Sequence, residues 1–175
     1  FVKRVKDFVA FFKTKIDEYD TLVTYNVIFQ ERMKGVGVIS AADAISYGCS
    51  GPVLRACGVK CDIRKLAPYD GYENLQFEEI LETAGDSYAR YLVRMGELRQ
   101  SISIIEQLID NIPEGDFVAK TKAVLKPPKG EFYSRAETAR GEFGVYIVSE
   151  GGLTPYRIHF RSPGFSNLSA LDTMA

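Results

Sequence analysis

From Val2 to Val23 the apolar residues Val2, Val5, Phe8, Val9, Phe12, Ile16, Tyr19, Leu22 and Val23 recur every three or four positions, with lysines and acids between them. This spacing predicts an amphipathic helix with a broad buried face. Gly35 and Gly37 interrupt the next stretch, and Ser40 is placed to cap a short helix from Ala41 to Tyr47, which Cys49-Ser50-Gly51-Pro52 should end. Residues 53–75 hold no sustained period and include Gly58, Pro68, Gly71 and several tyrosines, so a long, packed, irregular connection is expected. A second long helix is predicted over Gly85–Ile112, with Tyr88, Tyr91, Leu92, Met95, Leu98, Ile102, Ile105, Leu108 and Ile109 on one side and Pro113 and Gly115 as its stop. Aromatic and β-branched runs at Phe132–Glu137, Phe143–Ser149 and Pro155–Arg161 predict three strands, the last two paired through Gly151-Gly152. Ser166 is the expected cap of a final helix. The pattern is helical over 1–115 and strand-rich over 130–163, without repeats or low-complexity segments.

Composition narrows the function classes. A chain of 175 residues that is 46% hydrophobic is long enough to bury a core. A formal net charge of -1 lacks the basic footprint of a nucleic-acid binder. The apolar run Phe8-Val9-Ala10-Phe11-Phe12 is far shorter than the roughly 20 residues that span a bilayer. No signal peptide is visible and no initiator Met is present, and Leu171-Asp172-Thr173-Met174-Ala175 reads as the first turns of a helix, so a piece of a longer protein is expected. Three cysteines, Cys49, Cys57 and Cys61, without an export signal point to reduced thiols in a cytoplasmic setting.

Conventional active-site chemistry finds little support. His159 is the only histidine and lies mid-strand. Cys57 and Cys61 lack the paired close spacings of a zinc or iron–sulfur module. Gly35-Val36-Gly37 has no third glycine for a dinucleotide fingerprint, so the chain is expected to bind neither NADH nor ATP itself. Lys3-Arg4-Lys6 and Glu78-Glu79 read as solvated helix faces. More distinctive is the placing of arginine beside glycine where elements should start or stop: Gly51 to Gly58 around Arg55, Asp62-Ile63-Arg64-Lys65, and Ala139-Arg140-Gly141-Glu142. Glycine admits close backbone approach and arginine carries a permanent, fork-shaped charge. Two readings stay open for Arg55 and for Arg64 with Asp62, namely a buried ion pair that pins loops or contact with a substrate or cofactor-bearing partner.

The run Ser50-Gly51-Pro52-Val53-Leu54-Arg55-Ala56-Cys57-Gly58 through Asp62-Ile63-Arg64-Lys65, followed by Pro68-Tyr69-Asp70-Gly71-Tyr72, resembles the 49-kDa, or D-type, family of respiratory complex I. Arg90-Tyr91-Leu92-Val93-Arg94-Met95-Gly96-Glu97-Leu98-Arg99-Gln100-Ser101 resembles its long-helix signature, and Ala139 to Gly152, Pro155-Tyr156-Arg157 and Arg161-Ser162-Pro163-Gly164-Phe165 a third block. The three blocks keep the family's order along essentially the whole chain.

The resemblance implies a hydrogenase-large-subunit-like α+β fold, built on long packed helices, that has lost its metal. It implies partners as well: an iron–sulfur small subunit that holds the terminal 4Fe–4S cluster, a C-type subunit and membrane-arm subunits, with quinone reduced between this chain and the small subunit. NADH would bind elsewhere in the complex, and the expected place is the cytoplasmic side of a bacterial inner membrane, held peripherally. Arg140, Gly141 and Glu142 align with a basic-residue–Gly–Glu segment and are the expected quinone-site wall, Arg140 foremost. Arg55, Asp62, Arg64, Lys65 and Arg161 are the expected interface or loop-pinning residues, and no metal or other cofactor is expected on this chain. Departures are present too. Cys57 replaces the family's usual serine, Cys61 its tryptophan, and the stretch from Lys120 to Arg140 is short. The family's quinone-head-group histidine and tyrosine lie in an N-terminal hairpin this chain does not contain. Alternative readings are the large subunit of an energy-converting nickel–iron hydrogenase and a non-catalytic assembly module.

Overall fold

The computed structural model describes residues 1–121 and 124–175. Lys122 and Ala123, between Lys120 and Arg140, lie outside the described residues. In chain order the elements are α1 (Val2–Tyr19), a π turn (Asp20–Thr24), α2 (Val27–Met33), α3 (Ala41–Ser46), α4 (Pro52–Arg55), α5 (Ile63–Leu66), a 3-10 turn (Tyr72–Asn74), α6 (Ser87–Ile109), β1 (Gly130–Thr138), β2 (Gly141–Ser149), β3 (Arg157–Arg161), α7 (Pro163–Ser169) and α8 (Leu171–Met174).

The two long helices lie against each other through the stripes that their periodicity predicts. Val9 and Ile16 of α1 meet Met95 and Ile102 of α6 in one buried cluster, with Val5, Phe12, Tyr91 and Leu98 around it. Each such side chain contributes on the order of 1.5–3 kcal/mol by leaving water. Asp86 caps α6, accepting from Ala89 N at 2.7 Å, and its second oxygen takes Gly35 N at 2.8 Å, which ties the glycine loop to the helix start. The first helix stops short of Val23. Thr21 Oγ1 donates to the Asp17 carbonyl at 3.0 Å, a hydroxyl bond back into the ladder that accompanies its widening into a π turn, and Thr24 Oγ1 donates to the Asp20 carboxylate at 2.8 Å.

Ser40 caps α3 as expected, its Oγ accepting from Asp43 N at 3.0 Å. The connection predicted as irregular over 53–75 instead holds α4, α5 and the 3-10 turn. Each has four residues or fewer, too few for a hydrophobic period to register. A second core cluster gathers Ile39, Ala44, Cys49, Val53, Leu54 and Ala170, so α7 and α8 close over the segment that carries α3 and α4.

The three strands form one antiparallel sheet in the order β1-β2-β3, with Thr138 opposite Gly141 and Gly144 opposite Arg161. Pairing of β1 with β2 begins two residues before the predicted Phe143, because Gly141, at φ +127°, reverses the chain directly after Arg140. Ser166 is not a cap. Pro163 presets the helical φ at the first position of α7, so the helix begins there and Ser166 lies inside it. Glu78-Glu79 is not a solvated helix face either: the segment is non-helical, and Glu79 accepts from the backbone N–H groups of Cys61 and Asp62 at 2.5 and 2.9 Å. On α1, Lys3 and Arg4 are exposed while Lys6 pairs with Asp110 next to the end of α6.

Candidate functional site

The two arginine-glycine segments meet in space. Gly51, at φ +63°, packs so closely on the β1-β2 turn that a Cβ there would lie 2.5 Å from Gly141 Cα and 2.6 Å from the Arg140 carbonyl oxygen. A Cβ on Gly141 would lie 2.5 Å from Ser50 Oγ. Polar groups lock the junction. Glu142 N donates to Ser50 Oγ at 3.1 Å, Asn167 Nδ2 donates to the Arg140 carbonyl at 3.1 Å, and Ser50 N donates to Asn167 Oδ1 at 3.1 Å. Arg161 adds three bonds from β3, to Ser50 Oγ at 3.0 Å, the Glu142 carbonyl at 2.6 Å and the Gly48 carbonyl at 2.6 Å. The backbone of Arg140 is therefore fixed, whereas its side chain remains exposed.

Behind this junction lies a layer of buried charge. Arg55, 1% exposed, bonds Glu97 of α6 at 2.5 and 2.8 Å and Glu137 of β1 at 2.9 Å, so α4 is tied to both. Burial opposes its charge, but the Glu97 and Glu137 carboxylates overcome that and hold its pKa above the ordinary arginine value. Glu137 also accepts from Ile63 N at 3.2 Å. Arg64 grips Asp62 with two bonds, at 3.0 and 2.6 Å, and its guanidinium lies 4.8 Å from the Phe77 ring centroid. Burial is the largest single influence on Asp62 and raises its pKa, but the bonds and charge of Arg64 and the charge of Arg55 together outweigh it, so the carboxyl sits below its usual range. Lys65 is exposed and stands over Phe77 at 4.1 Å. Arg55 thus pairs with two glutamates and Arg64 with Asp62, forming two ion-paired groups side by side.

Two cavities of about 560 Å³ each open at this layer. The first is bounded by Val53, Phe165, Leu168, Leu171 and Met174 and is mainly apolar; the second is bounded by Arg55, Arg64, Tyr72, Glu97 and Glu137. Arg94 and Arg140 line both. Glu142 does not join them: its carboxylate faces Tyr133 at 3.2 Å and Arg135 at 3.3 Å. Arg94, Glu97, Glu137 and Asn167 were not among the candidates drawn from the sequence. Only Arg94 and Glu97 carried a signal, their place in the long-helix signature.

Burial pushes the Cys61 thiol up to about 11, in spite of Arg55 nearby, and raises Cys49 and Cys57 as well. At neutral pH all three are thiols and poor nucleophiles. Among the described residues no group of three or more His, Cys, Asp or Glu is placed to hold a metal ion. No helix among them is long and apolar enough to cross a membrane.

The family described as respiratory-chain NADH dehydrogenase, 49 Kd subunit, matches residues 1–129 and 120–175. The chain belongs to this family. The two matched segments overlap over residues 120–129, and together they cover the whole chain. Among 49-kDa-family relatives, the C/D-type NADH-quinone oxidoreductase subunit of Bacteroides thetaiotaomicron is 51% identical over 99% of this chain and 33% of its own length. A D-type NADH-quinone oxidoreductase subunit of Solibacter usitatus is 49% identical over 99% of this chain and 47% of its own. A chain of an archaeal respiratory membrane complex, the membrane-bound sulfane sulfur reductase, superposes with a TM-score of 0.91 at 38% identity, over 99% of this chain and 48% of that one. The chain therefore spans between a third and a half of the relatives it matches. Its α+β architecture, with long packed helices and a small antiparallel sheet, is that of the 49-kDa family and its hydrogenase-like relatives.

Proposed function

We propose that this chain is the C-terminal part of a single hydrogenase-large-subunit-like domain in a proton-translocating NADH:quinone oxidoreductase, and that it forms one wall of the quinone-reduction site. The observation that carries the reading is the cavity between the β1-β2 turn and α7, where a fixed backbone presents Arg140 beside apolar side chains. Its size suits a ring-sized ligand, and an apolar lining with few polar groups suits a quinone. Quinone reduction consumes two electrons and two protons, and negative charge develops on the ring oxygens between electron and proton arrival. A guanidinium in a partly dry cavity stabilises that charge. The electrons would come from the terminal 4Fe–4S cluster of an iron–sulfur small subunit, with C-type and membrane-arm subunits completing the complex on the cytoplasmic side of a bacterial inner membrane. This chain binds no cofactor of its own in this reading and is inactive alone.

The likeness to a sulfane sulfur reductase chain supports a second reading, in which the same cavity takes a sulfane sulfur acceptor. Identity of 51% to a quinone-linked relative against 38% to that chain favours quinone. The test is Arg140→Met in the intact complex. A fall in quinone turnover of roughly tenfold to a hundredfold is expected, together with altered inhibitor sensitivity. Unchanged turnover and inhibition in a normally assembled complex would overturn the assignment.

A further inference from the structure

We infer that Arg94 is a second quinone-binding residue, which donates to a ring oxygen from the α6 side of the cavity while Arg140 approaches from the β1-β2 turn. The inference rests on the quinone reading and adds to it the side chain that lines the same two cavities as Arg140.

Arg94 and Arg140 are the two residues common to both cavities, so they form the partition between the apolar one and the charged one. Every other guanidinium in this layer is committed. Arg55 holds Glu97 and Glu137, Arg64 holds Asp62, and Arg161 bonds three groups at the glycine junction. Arg94 and Arg140 make no ion pair among the described residues. Arg94 spends one donor on the Arg90 carbonyl at 2.9 Å, one turn back along its own helix, which fixes the side chain against α6 and leaves most of its five donors free. The nearest acid on its face, Glu97, is already held by Arg55.

Two like charges bordering one cleft repel, and an electron-rich oxygen placed between them relieves that repulsion. A neutral amphipathic ring with oxygens on opposite edges meets this geometry: the apolar floor of Val53, Leu168, Leu171 and Met174 takes the ring and its tail, and the guanidiniums take oxygen. Glu97 and Glu137, locked by Arg55, face the second cavity, so among the described residues no free carboxylate lining either cavity competes for the two cations. Because the contact is made to an oxygen already present in the oxidised ring, its loss should appear first in affinity.

The intact complex carrying Arg94→Met is the test, assayed with a decyl-substituted benzoquinone and normalised to the amount of assembled complex. KM is expected to rise about tenfold or more with a much smaller change in kcat, and Arg94→Lys is expected to recover most of the affinity. A structural role alone would not divide KM from kcat in this way. If KM is unchanged in Arg94→Met while Arg140→Met impairs turnover, the inference fails and the site assignment survives. If neither variant affects the quinone kinetics, both fail. Should Arg94→Met not assemble, Arg94→Gln, which retains a donor for the Arg90 carbonyl, replaces it; an unchanged KM there overturns the inference equally.

Discussion

Arg55 is the side chain on which three elements converge, since its guanidinium bonds α4 to both α6 and β1. Ion pairs this deep are a weak source of net stability, because two desolvated carboxylates offset much of the attraction. Removing one partner is a different matter, as it strands the others. In Arg55→Met the carboxylates of Glu97 and Glu137, 18% and 4% exposed, lose their counter-ion, and a loss of about 3–5 kcal/mol is expected in denaturant unfolding of the chain. Arg55→Lys should recover only part of it, because one ammonium cannot reproduce bonds from Nε, Nη1 and Nη2 to two acids. A loss below about 1 kcal/mol in Arg55→Met would show that the layer is a solvated network and not a buried one. Burial and pairing together thus give the residue its importance, and its sequence neighbours reveal neither acid.

At the scale of elements, the contact between the Gly48–Pro52 loop and the β1-β2 turn determines where Arg140 stands. Gly141→Ala forces a Cβ to within 2.5 Å of Ser50 Oγ and 2.7 Å of Gly51 N, at a φ of +127° that side chains rarely adopt. A cost of about 2–3 kcal/mol is expected from strain and overpacking. Gly51→Ala meets Gly141 Cα and the Arg140 carbonyl from the other side. Since either substitution alone separates the two segments, the double variant should cost clearly less than the sum of the singles, measured by denaturant midpoint; additive costs would mean that the segments do not act as one contact. The same junction shows what a linear reading captures. The long helices were legible because their stripes run for several turns, and the capping of α3 because Ser40 and Asp43 are neighbours. α4 and α5 were not, since four residues carry no period. Arg140 and Gly141 stood out as arginine beside glycine at an element boundary and Arg161 through the family resemblance, whereas Glu137 and Asn167 reach their partners across 82 and 117 positions, with no local pattern to mark them.

At the scale of the whole molecule, the apolar surface left uncovered is extensive and lies on two sides. Strand alternation puts Phe132, Val145, Ile147, Ile158 and Phe160 on one face of the sheet, and Phe132, Ile158 and Phe160 remain 44–55% exposed. Along α1, the π turn and α2, Phe8, Phe11, Leu22, Val27 and Ile28 are each more than half exposed. Isolated exposed leucines are ordinary, but contiguous apolar faces on this scale are uncommon on monomers and mark surfaces that meet other protein. This agrees with a chain that spans a third to a half of its relatives' length. The isolated 175-residue chain is therefore expected to bind a solvatochromic dye such as anilinonaphthalene sulfonate and to self-associate at about 10 µM in sedimentation velocity. Replacing Phe8 and Phe11 with serine should reduce both signals, and so should Phe132→Ser with Phe160→Ser, because each pair removes part of a separate face. A monodisperse monomer without dye binding would show that these faces need no cover, and the picture of the chain as part of a larger packed assembly would fall with it.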